Sequence, residues 1–431
     1  MGTRYIRADR LFDGTSHETR KDAMVAIENG RVAAIMSKDD LPDQVDLESD
    51  VMEFSGCTIL PGLIDCHVHT RGTGDLRQPG YSTAQVLSDL PGTIAFRSWL
   101  SSMEALKSGY TTLRDQASLW FADIALRDAI QSGMLPGPRI KAAGLGLTSS
   151  GGHMDRTKGL IPGVSIPLSF NIVDGPDEAR RATRQLINYG VDHIKINATM
   201  SETVRQYGEL CAQEMTYDTM AAICEVAHAH FRPVSAHCHG GPGVDDAIRA
   251  GVDSLEHGRF LTREQLEVIK EQGIALVPTL CPEGRAIAKG QSHMGSRDVD
   301  WAWTVKANNA MYSTVALAHE VGVEIGAGSD ASMPLVRHGE NAFELELLVR
   351  AGLTPSDALL SATSIAARIL CIEEDVGTIE PGKIADIVIV EGNPLDDIRL
   401  LQDRQNIRAV LQSGKLLDRD FCSCIEEECR N

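Results

Sequence analysis

The chain has 431 residues, and its 60 acidic residues outnumber its 41 basic residues, which gives a formal net charge of -19. A charge of this sign argues against nucleic acid and anionic membranes as partners, because both would repel the protein. No apolar run is long enough to span a bilayer, and the N-terminal segment lacks the apolar core of a signal peptide. We therefore expect a cytoplasmic protein. Its length exceeds that of one average domain and suits a barrel of about 250 residues with a smaller second domain.

The 10 cysteines are scattered through predicted strands and helices, which favours reduced core residues over a disulfide framework. Cys422, Cys424 and Cys429 differ, because they lie in a short tail with the acidic run 426–428. A metal-binding or redox tail is one interpretation. A disordered tail with incidental thiols is the favoured one, because acidic chain ends usually stay solvated.

Both ends of the chain are rich in strand-forming residues. Asn29-Gly30 predicts a tight hairpin turn in the N-terminal part, because this dipeptide readily adopts positive φ. Neither end alone buries enough surface to be stable, so we expect the two to pair. The predicted strands are 5–8, 23–27, 32–35, 386–390 and 408–411. The predicted organisation is a small β-sandwich domain from residues 1–61 and 357–418, a barrel in residues 62–356, and the tail 419–431.

From Thr58 onwards, β-prone runs alternate with helical patterns. The helical segments include 177–189, 218–230, 341–350 and a helix that opens at Thr354-Pro355 with an N-cap threonine and proline at the first helical position. Eight β-then-α units in series predict an α/β fold with a closed (β/α)₈ TIM-like barrel. The predicted barrel strands are 63–69, 110–115, 139–143, 191–196, 233–237, 254–257, 274–279 and 323–330.

Metal-type ligands stand at or near the carboxyl ends of five of these strands. Side chains alternate along a strand, so His67 and His69 point the same way and can share a divalent metal. His237 and His239 also share a face, and alternation alone does not choose between them. Active sites of such barrels lie at this rim. The candidate residues are His67, His69, Lys195, His237, His239, His257 and Asp330.

These motifs resemble the amidohydrolase superfamily with a binuclear metal centre. The segment Ile59-Leu60-Pro61-Gly62-Leu63-Ile64-Asp65 resembles the family's entry into the barrel, and residues 377–386 resemble its exit. Within the superfamily the chain is most similar to the imidazolonepropionase-related, prolidase-like group of dipeptidases and ochratoxin-cleaving amidases. The matches are Gly151-Gly152-His153, His237-Cys238-His239-Gly240, residues 254–258 and residues 337–341. Many relatives carry Thr-Gly-Gly where this chain has Asn197-Ala198-Thr199.

The resemblance implies two divalent metal ions, zinc first, with cobalt or manganese as alternatives. It makes His67, His69, Lys195, His237, His257 and Asp330 the ligands and leaves His239 near the substrate. Lys195 needs carboxylation by CO₂ for this role, because an ammonium has no free lone pair. The alternative for Lys195 is an ion-paired lysine at the barrel mouth.

The implied reaction is hydrolysis of an amide by a hydroxide bridging the metals. Asp330 serves as general base and then acid, and His239 helps to hold the oxyanion. We expect a homo-oligomer and a small-molecule substrate, a dipeptide or an N-acyl amino acid. The alternatives are a cyclic amide, a carbamate, a urea or an anilide, or, as another class, a non-catalytic metal-binding barrel protein.

The remaining histidines are weaker candidates. His153 follows two glycines in a loop, where substrate contact is favoured over no role, because loops over the barrel mouth carry specificity. His338 is either a partner of a ligand or a surface residue. The residues read as structural or exposed are His17, His193, His228, His230, His293 and His319.

Overall fold

The computed structural model describes residues 3–37, 40–41, 45, 50–75, 87–157, 160–161, 163–164, 166, 170–203, 211–291 and 301–418. The predicted tail, with Cys422, Cys424 and Cys429, and the histidine at 293 lie outside the described residues. The prediction for the tail therefore stays a prediction.

Strands and helices alternate through most of the described chain. The strands are β1 Arg4–Leu11, β2 Arg20–Lys21, β3 Ala23–Glu28, β4 Arg31–Ser37, β5 Val51–Pro61, β6 Leu63–Val68, β7 Tyr110–Asp115, β8 Arg139–Ala142, β9 Gly146–Thr148, β10 Phe170–Ile172, β11 Ile194–Asn197, β12 Thr199–Thr203, β13 Cys211–Gln213, β14 Val234–Cys238, β15 Ser254–His257, β16 Ala275–Val277, β17 Ile387–Glu391, β18 Ile407–Gln412 and β19 Lys415–Leu416. The α-helices are α1 Pro91–Lys107, α2 Ala122–Gln131, α3 Pro176–Asn188, α4 Tyr217–Ala229, α5 Pro242–Ala250, α6 Arg263–Gln272, α7 Cys281–Lys289, α8 Trp301–Val321, α9 Phe343–Arg350, α10 Pro355–Ser361 and α11 Ser364–Ile369.

One mixed sheet joins the two ends of the chain. Its strand order is β19-β18-β17-β5-β1-β3-β4, with β2 paired to β1. The long strand β5 links the ends, because it runs parallel to β1 and antiparallel to β17. Buried side chains from both ends, among them Ile6, Ile59 and Ile387, form one apolar cluster. The sandwich arrangement and the domain boundaries stay predictions.

Parallel strands occupy the middle of the chain, which makes the structure α/β. They form a six-stranded sheet in the order β10-β9-β11-β14-β15-β16 and a three-stranded sheet β6-β7-β8. The register places Asn197 opposite His237, and Cys238 opposite His257. The carboxyl ends of β11, β14 and β15 therefore lie side by side, which brings their candidate residues to one rim.

Most predicted strands in this region appear at or near their predicted positions. The predicted third strand, 139–143, appears as β8, and after a bend at Gly144, which has a φ of +67, it is followed by a further strand, β9, that was not predicted. β8 pairs with β7 before this bend, and β9 pairs with β11 after it. The chain turns here because glycine adopts positive φ without steric cost.

The predicted eighth strand, 323–330, is an extended segment with isolated bridges in place of a regular ladder. The amide of Gly326 donates to the Leu276 carbonyl at 2.9 Å, and the amide of Cys66 donates to Ala327 at 2.8 Å. The segment thus bonds to β16 on one side and β6 on the other. A Cβ at Gly328 would lie 2.8 Å from the Cβ of His67, so only glycine permits this approach. The closed barrel stays a prediction.

Within the described part of the chain, no helix combines the length and apolar character needed to cross a membrane. The cysteines described there are all free. Cys371 is exposed, and the buried ones are Cys57, Cys66, Cys211, Cys224, Cys238 and Cys281.

A buried carboxylate caps the helix that forms one wall of the candidate site. Glu344 is 1% exposed. Its oxygens accept the backbone N–H groups of Leu280 at 2.8 Å and Cys281 at 2.9 Å, at the start of α7. The first N–H groups of a helix have no partner within the helix, so this side chain satisfies donors that would otherwise be buried and unpaired.

We expect Glu344→Ala to lower the free energy of unfolding by about 2–4 kcal/mol, because two buried donors lose their acceptor. Glu344→Gln keeps one acceptor oxygen and should lose less. Glu267→Ala, on the exposed face of α6, is the matched control and should change stability by no more than about 0.5 kcal/mol. Urea unfolding followed by circular dichroism measures the three variants, and an Ala variant as stable as the control would contradict this role for Glu344.

Candidate metal centre and substrate cavity

The first group of candidate ligands comes from the end of β6 and from the extended segment 323–330, which lies between β16 and β6. His67 Nε2 lies 3.6 Å from Asp330 Oδ1, and His69 Nε2 lies 3.5 Å from the same oxygen. One atom from each of these three residues lies within 4.8 Å of the other two. The Asp330 Oδ1 atom is buried and accepts no hydrogen bond within the protein. Three ligand atoms that converge without bonding one another suit a shared cation.

The far nitrogens of the histidine rings are held by other residues. His67 Nδ1 donates to Glu256 Oε2 at 2.7 Å, and the other oxygen of Glu256 accepts from Arg114 at 2.7 Å. His69 Nδ1 lies 3.4 Å from the Ala117 carbonyl oxygen. Such partners fix the tautomer and aim Nε2 at a metal. No role was predicted for Glu256 from the sequence, although it immediately precedes the candidate ligand His257.

A second group comes from the ends of β14 and β15. His237, His239 and His257 each offer a ring nitrogen, and these nitrogens lie within 4.8 Å of one another. His257 Nδ1 is 2.6 Å from Thr279 Oγ1, which leaves Nε2 for the cavity. The ring centroids of His67 and His257 are 5.0 Å apart, so the two groups adjoin. The structure includes His239 in this cluster, so the geometry, like the sequence, does not separate it from His237.

The backbone at two candidate ligands is in an unusual conformation. His257 has a φ of +75 and Asp330 a φ of +51. Left-handed backbone is uncommon for residues other than glycine and costs free energy. At His257 the positive φ changes the direction of the side chain. Glu256 already points into the interior, and strict alternation along the strand would turn the side chain of His257 away from it. The positive φ brings both into the same site.

Lys195 lies on β11 beside these groups and is 3% exposed. Burial lowers the pKa of its amine to about 8, because desolvation disfavours the ammonium. A neutral amine is the form that reacts with CO₂. The side chain lines the same cavity as the histidines and Asp330, so all seven candidate residues meet at one place.

The protonation states fit divalent metal ions. Burial holds the pKa values of His67, His69, His237 and His257 well below the usual range of histidine, so their imidazoles are neutral. Burial also raises the pKa of Asp330 to about 8, which means that its ionised form lacks stabilisation within the protein alone. A cation at this position would supply it. Neutral imidazoles with a carboxylate are ligands that zinc and its neighbours accept.

The site opens into a cavity of about 490 Å³. Several of its walls were not identified from the sequence. Arg259 lies in the cavity and forms an ion pair with Glu283 of α7, in close contact. After burial, the Arg259 charge is the largest cause that lowers the pKa of His239, so the guanidinium lies near that ring. The other lining residues that were not identified from the sequence are Met154, Arg156, Phe170, Thr279, Pro282, Met311, Met333 and Pro334. Asn197, of the segment that departs from the family pattern, lines the cavity as well.

The loop that carries His153 reaches the cavity as expected. The His153 ring stacks on His237 with centroids 4.5 Å apart and an interplanar angle of 16°. Its backbone N–H donates to Glu214 at 2.8 Å. A Cβ at Gly152 would lie 2.3 Å from Glu214 Oε1, so any larger residue here would displace the Glu214 side chain. No pattern in the sequence pointed to Glu214, because it lies 61 residues from His153 along the chain.

The segment Asn197-Ala198-Thr199, which departs from the family pattern, forms hydrogen bonds with the backbone at the end of β14. The amide of Ala198 donates to the His237 carbonyl at 2.9 Å, and Thr199 Oγ1 accepts the amide of His239 at 2.9 Å. His338 is buried, with Nε2 3.2 Å from the His69 carbonyl oxygen, so it is a partner of a ligand's backbone rather than a surface residue. His193 is also buried and lines no part of the cavity.

Known proteins resemble this chain over most of its length. The model of the amidohydrolase family matches residues 58–417. The ochratoxinase of Aspergillus niger is 30% identical over 99% of this chain and 89% of its own length. The imidazolonepropionase of Thermoplasma volcanium is 24% identical over 92% of this chain and 91% of its own length.

A solved structure is also closely similar. A Xaa-Pro dipeptidase with bound methionine in the active site superposes with a TM-score of 0.85 at 31% identity, and the match covers 97% of this chain and 100% of the other. The family match spans well over half of the sequence. The chain therefore belongs to the amidohydrolase family and is a hydrolase that acts on carbon–nitrogen bonds.

Proposed function

We propose that this protein hydrolyses the amide bond of a dipeptide or an N-acyl amino acid in a metal-dependent reaction. One observation carries the proposal: six ligand-type residues from four strands and the extended segment 323–330 converge on a single cavity, and the far ring nitrogens of His67, His69 and His257 face other buried groups. The similarity to a protein named as a Xaa-Pro dipeptidase supports a dipeptide as the substrate class.

In this proposal the residues hold two divalent ions, zinc first, with cobalt or manganese as alternatives. The ligands are His67, His69, Lys195, His237, His257 and Asp330, with Lys195 carboxylated to an anionic ligand. Bound metal ions would lower the pKa of water towards neutrality and polarise the scissile carbonyl. The buried amine of Lys195 supports the carboxylation, because its pKa is lowered to about 8.

Asp330 is proposed as the proton carrier. It would take a proton from the attacking water and pass it to the leaving nitrogen, which must be protonated to depart. His239 is proposed to donate to the developing oxyanion. Its Nδ1 is buried and has no hydrogen-bond partner within the protein. His153, stacked on His237, is proposed to contact the substrate near the scissile bond.

A second substrate class is a cyclic amide, carbamate, urea or anilide. The observation that favours it is Asn197, which lies in the cavity at the segment that departs from the family pattern. Screening dipeptides, N-acyl amino acids, carbamates and ureas decides between the classes. The cytoplasmic location and the homo-oligomeric state stay predictions from the sequence.

Metal content is the first prediction from this proposal. We expect about two equivalents of divalent metal per chain after purification without chelator and reconstitution with zinc. Removal of the metal should abolish hydrolysis, and its return should restore it. Elemental analysis measures the content. Less than one equivalent after reconstitution would count against a binuclear site.

The second prediction from this proposal concerns Lys195. Lys195→Ala should lower kcat/KM by more than about 100-fold, because loss even of a ligand's outer partner typically costs 10–100-fold. Short carboxylic acids should restore part of the activity by replacing the carbamate. Lys270→Ala, on the exposed side of α6, should behave as wild type with and without added acid. Intact mass of the metal-loaded enzyme under native conditions tests the modification directly, and an unmodified lysine in active enzyme would rule it out.

The third prediction distinguishes the roles of His237, which lies on β14, and His239, which directly follows that strand. His237→Asn should reduce the metal content, whereas His239→Asn should keep it and lower kcat, because we propose that His239 contacts substrate and no metal. Elemental analysis and kinetics on the same preparations give both values. Metal loss in the His239 variant, with retention in the His237 variant, would exchange the two roles.

A further inference from the structure

The loop after β15 brings an arginine into the cavity on a fixed backbone. The amide of Phe260 donates to the His239 carbonyl at 2.7 Å, and the amide of Gly258 donates to Cys238 at 2.9 Å. The Arg259 carbonyl accepts from Thr314 of α8 at 3.0 Å. The backbone of residues 258–260 is therefore bonded on one side to the strand end that carries the histidines and on the other to a long helix.

The Arg259 side chain is a buried permanent charge. The residue is 7% exposed, and an arginine stays protonated at any physiological pH. A buried charge is stable only with a partner, and Glu283 provides one. Glu283 lies in the first turn of α7, where the helix dipole favours an anion. The planar guanidinium has five N–H donors in a fixed fork whose geometry matches a carboxylate.

The charges of the cavity favour an anion at this wall. Among the residues that the structure describes, the ionisable ones that line the cavity, apart from the candidate ligands and neighbouring histidines, are Arg156, Arg259 and Glu283. The formal charges of these three side chains sum to a positive value, whereas the whole protein has a formal net charge of -19. A cavity of opposite sign to the surface attracts a small anion that the protein as a whole repels. Most of the other residues that line the cavity are apolar, namely Met154, Phe170, Pro282, Met311, Met333 and Pro334.

His153 is less suited to hold that anion. Its ring stacks directly on His237, so it lies next to a candidate metal ligand and to the position proposed for the scissile carbonyl. An amino-acid leaving group has its carboxylate on the far side of the scissile nitrogen. Arginine also recognises a carboxylate with two parallel hydrogen bonds, which a histidine ring does not offer.

We propose that Arg259, held in position by Glu283, binds the free carboxylate of the leaving amino acid and makes the enzyme selective for acids over their neutral derivatives. This inference rests on the proposed hydrolysis of an amide. The apolar wall would then receive an apolar side chain of the same amino acid. The substrate class becomes N-acyl or N-aminoacyl derivatives of apolar amino acids with a free carboxylate.

Paired acidic and neutral compounds test the assignment in the metal-loaded enzyme. The kinetic arm compares amide hydrolysis of N-acetyl-L-phenylalanine with that of its methyl ester. Arg259→Gln should lower the acid-to-ester ratio of kcat/KM by roughly 10- to 100-fold, mainly through KM for the acid, because a charge-assisted hydrogen-bonding partner is lost. Arg259→Lys keeps the charge without the planar fork and should recover only part of the ratio.

The matched control is Arg263→Gln. This arginine also pairs with a glutamate, Glu320, but it is exposed on α6, so its loss should leave the ratio at the wild-type value. Elemental analysis and thermal unfolding confirm that each variant retains its metal and fold. An unchanged ratio in a folded, metal-loaded Arg259→Gln variant would overturn the proposal.

A binding arm separates this proposal from the proposed hydrolysis. Calorimetry with 3-phenylpropanoate and 3-phenylpropanamide measures the same preference with no amide hydrolysis required. If neither acetyl compound is cleaved but the acid binds more tightly in an Arg259-dependent way, hydrolysis of this substrate class fails and the anion site stands. If Arg259→Gln does not fold, Arg259→Lys and the wild type decide. A wild type with no preference for the acid, or a Lys variant with a full preference, overturns the assignment.

Discussion

The candidate metal centre depends on hydrogen bonds made by the ring nitrogens that face away from it. Glu256 holds His67, Thr279 holds His257, and the Ala117 carbonyl lies beside His69. Each contact leaves the opposite nitrogen directed into the cavity. Glu256 is itself fully buried between Arg114 and Ser254, so the His67 ring is fixed through a chain of contacts that reaches well below the cavity. Without these partners, the same histidines would be free to rotate.

A second constraint on the site is the strained backbone conformation of three of its residues. His257, Thr279 and Asp330 all have positive φ, at +75, +51 and +51. Each such residue costs of order 1–3 kcal/mol, so the surrounding structure must compensate. Part of that compensation is visible beside Asp330, whose amide donates to the His67 carbonyl at 2.8 Å. Next to it, the Asp65 carboxylate accepts from Ser329 and Asn341. The fold therefore places unfavourable backbone conformations at two candidate ligands and at the residue that holds one of them.

The sequence predicted the elements that depend on local pattern. Alternation along a strand placed His67 and His69 on one face, and their position at or near the ends of predicted strands marked Lys195, His257 and Asp330 as candidates. The partners that hold them could not be predicted in the same way. Glu256 contacts His67 across 189 residues of sequence, and buried glutamates carry no local pattern that identifies their partner. The irregular form of 323–330 was also missed, because it arises from close packing of Gly328 against His67 and not from a change in hydrophobic period.

The cavity wall and the proposed oxyanion donor are connected through the backbone. The Phe260 amide bonds to the carbonyl of His239, and Arg259 is the residue between that contact and Gly258, which bonds to Cys238. A displacement of the loop 258–260 would therefore move the guanidinium and the His239 backbone together. Side-chain substitutions at Arg259 or Glu283 change the charge of the wall without breaking these backbone bonds. It follows that the proposed preference for a leaving group can vary in this architecture while the ring positions of the candidate ligands stay unchanged.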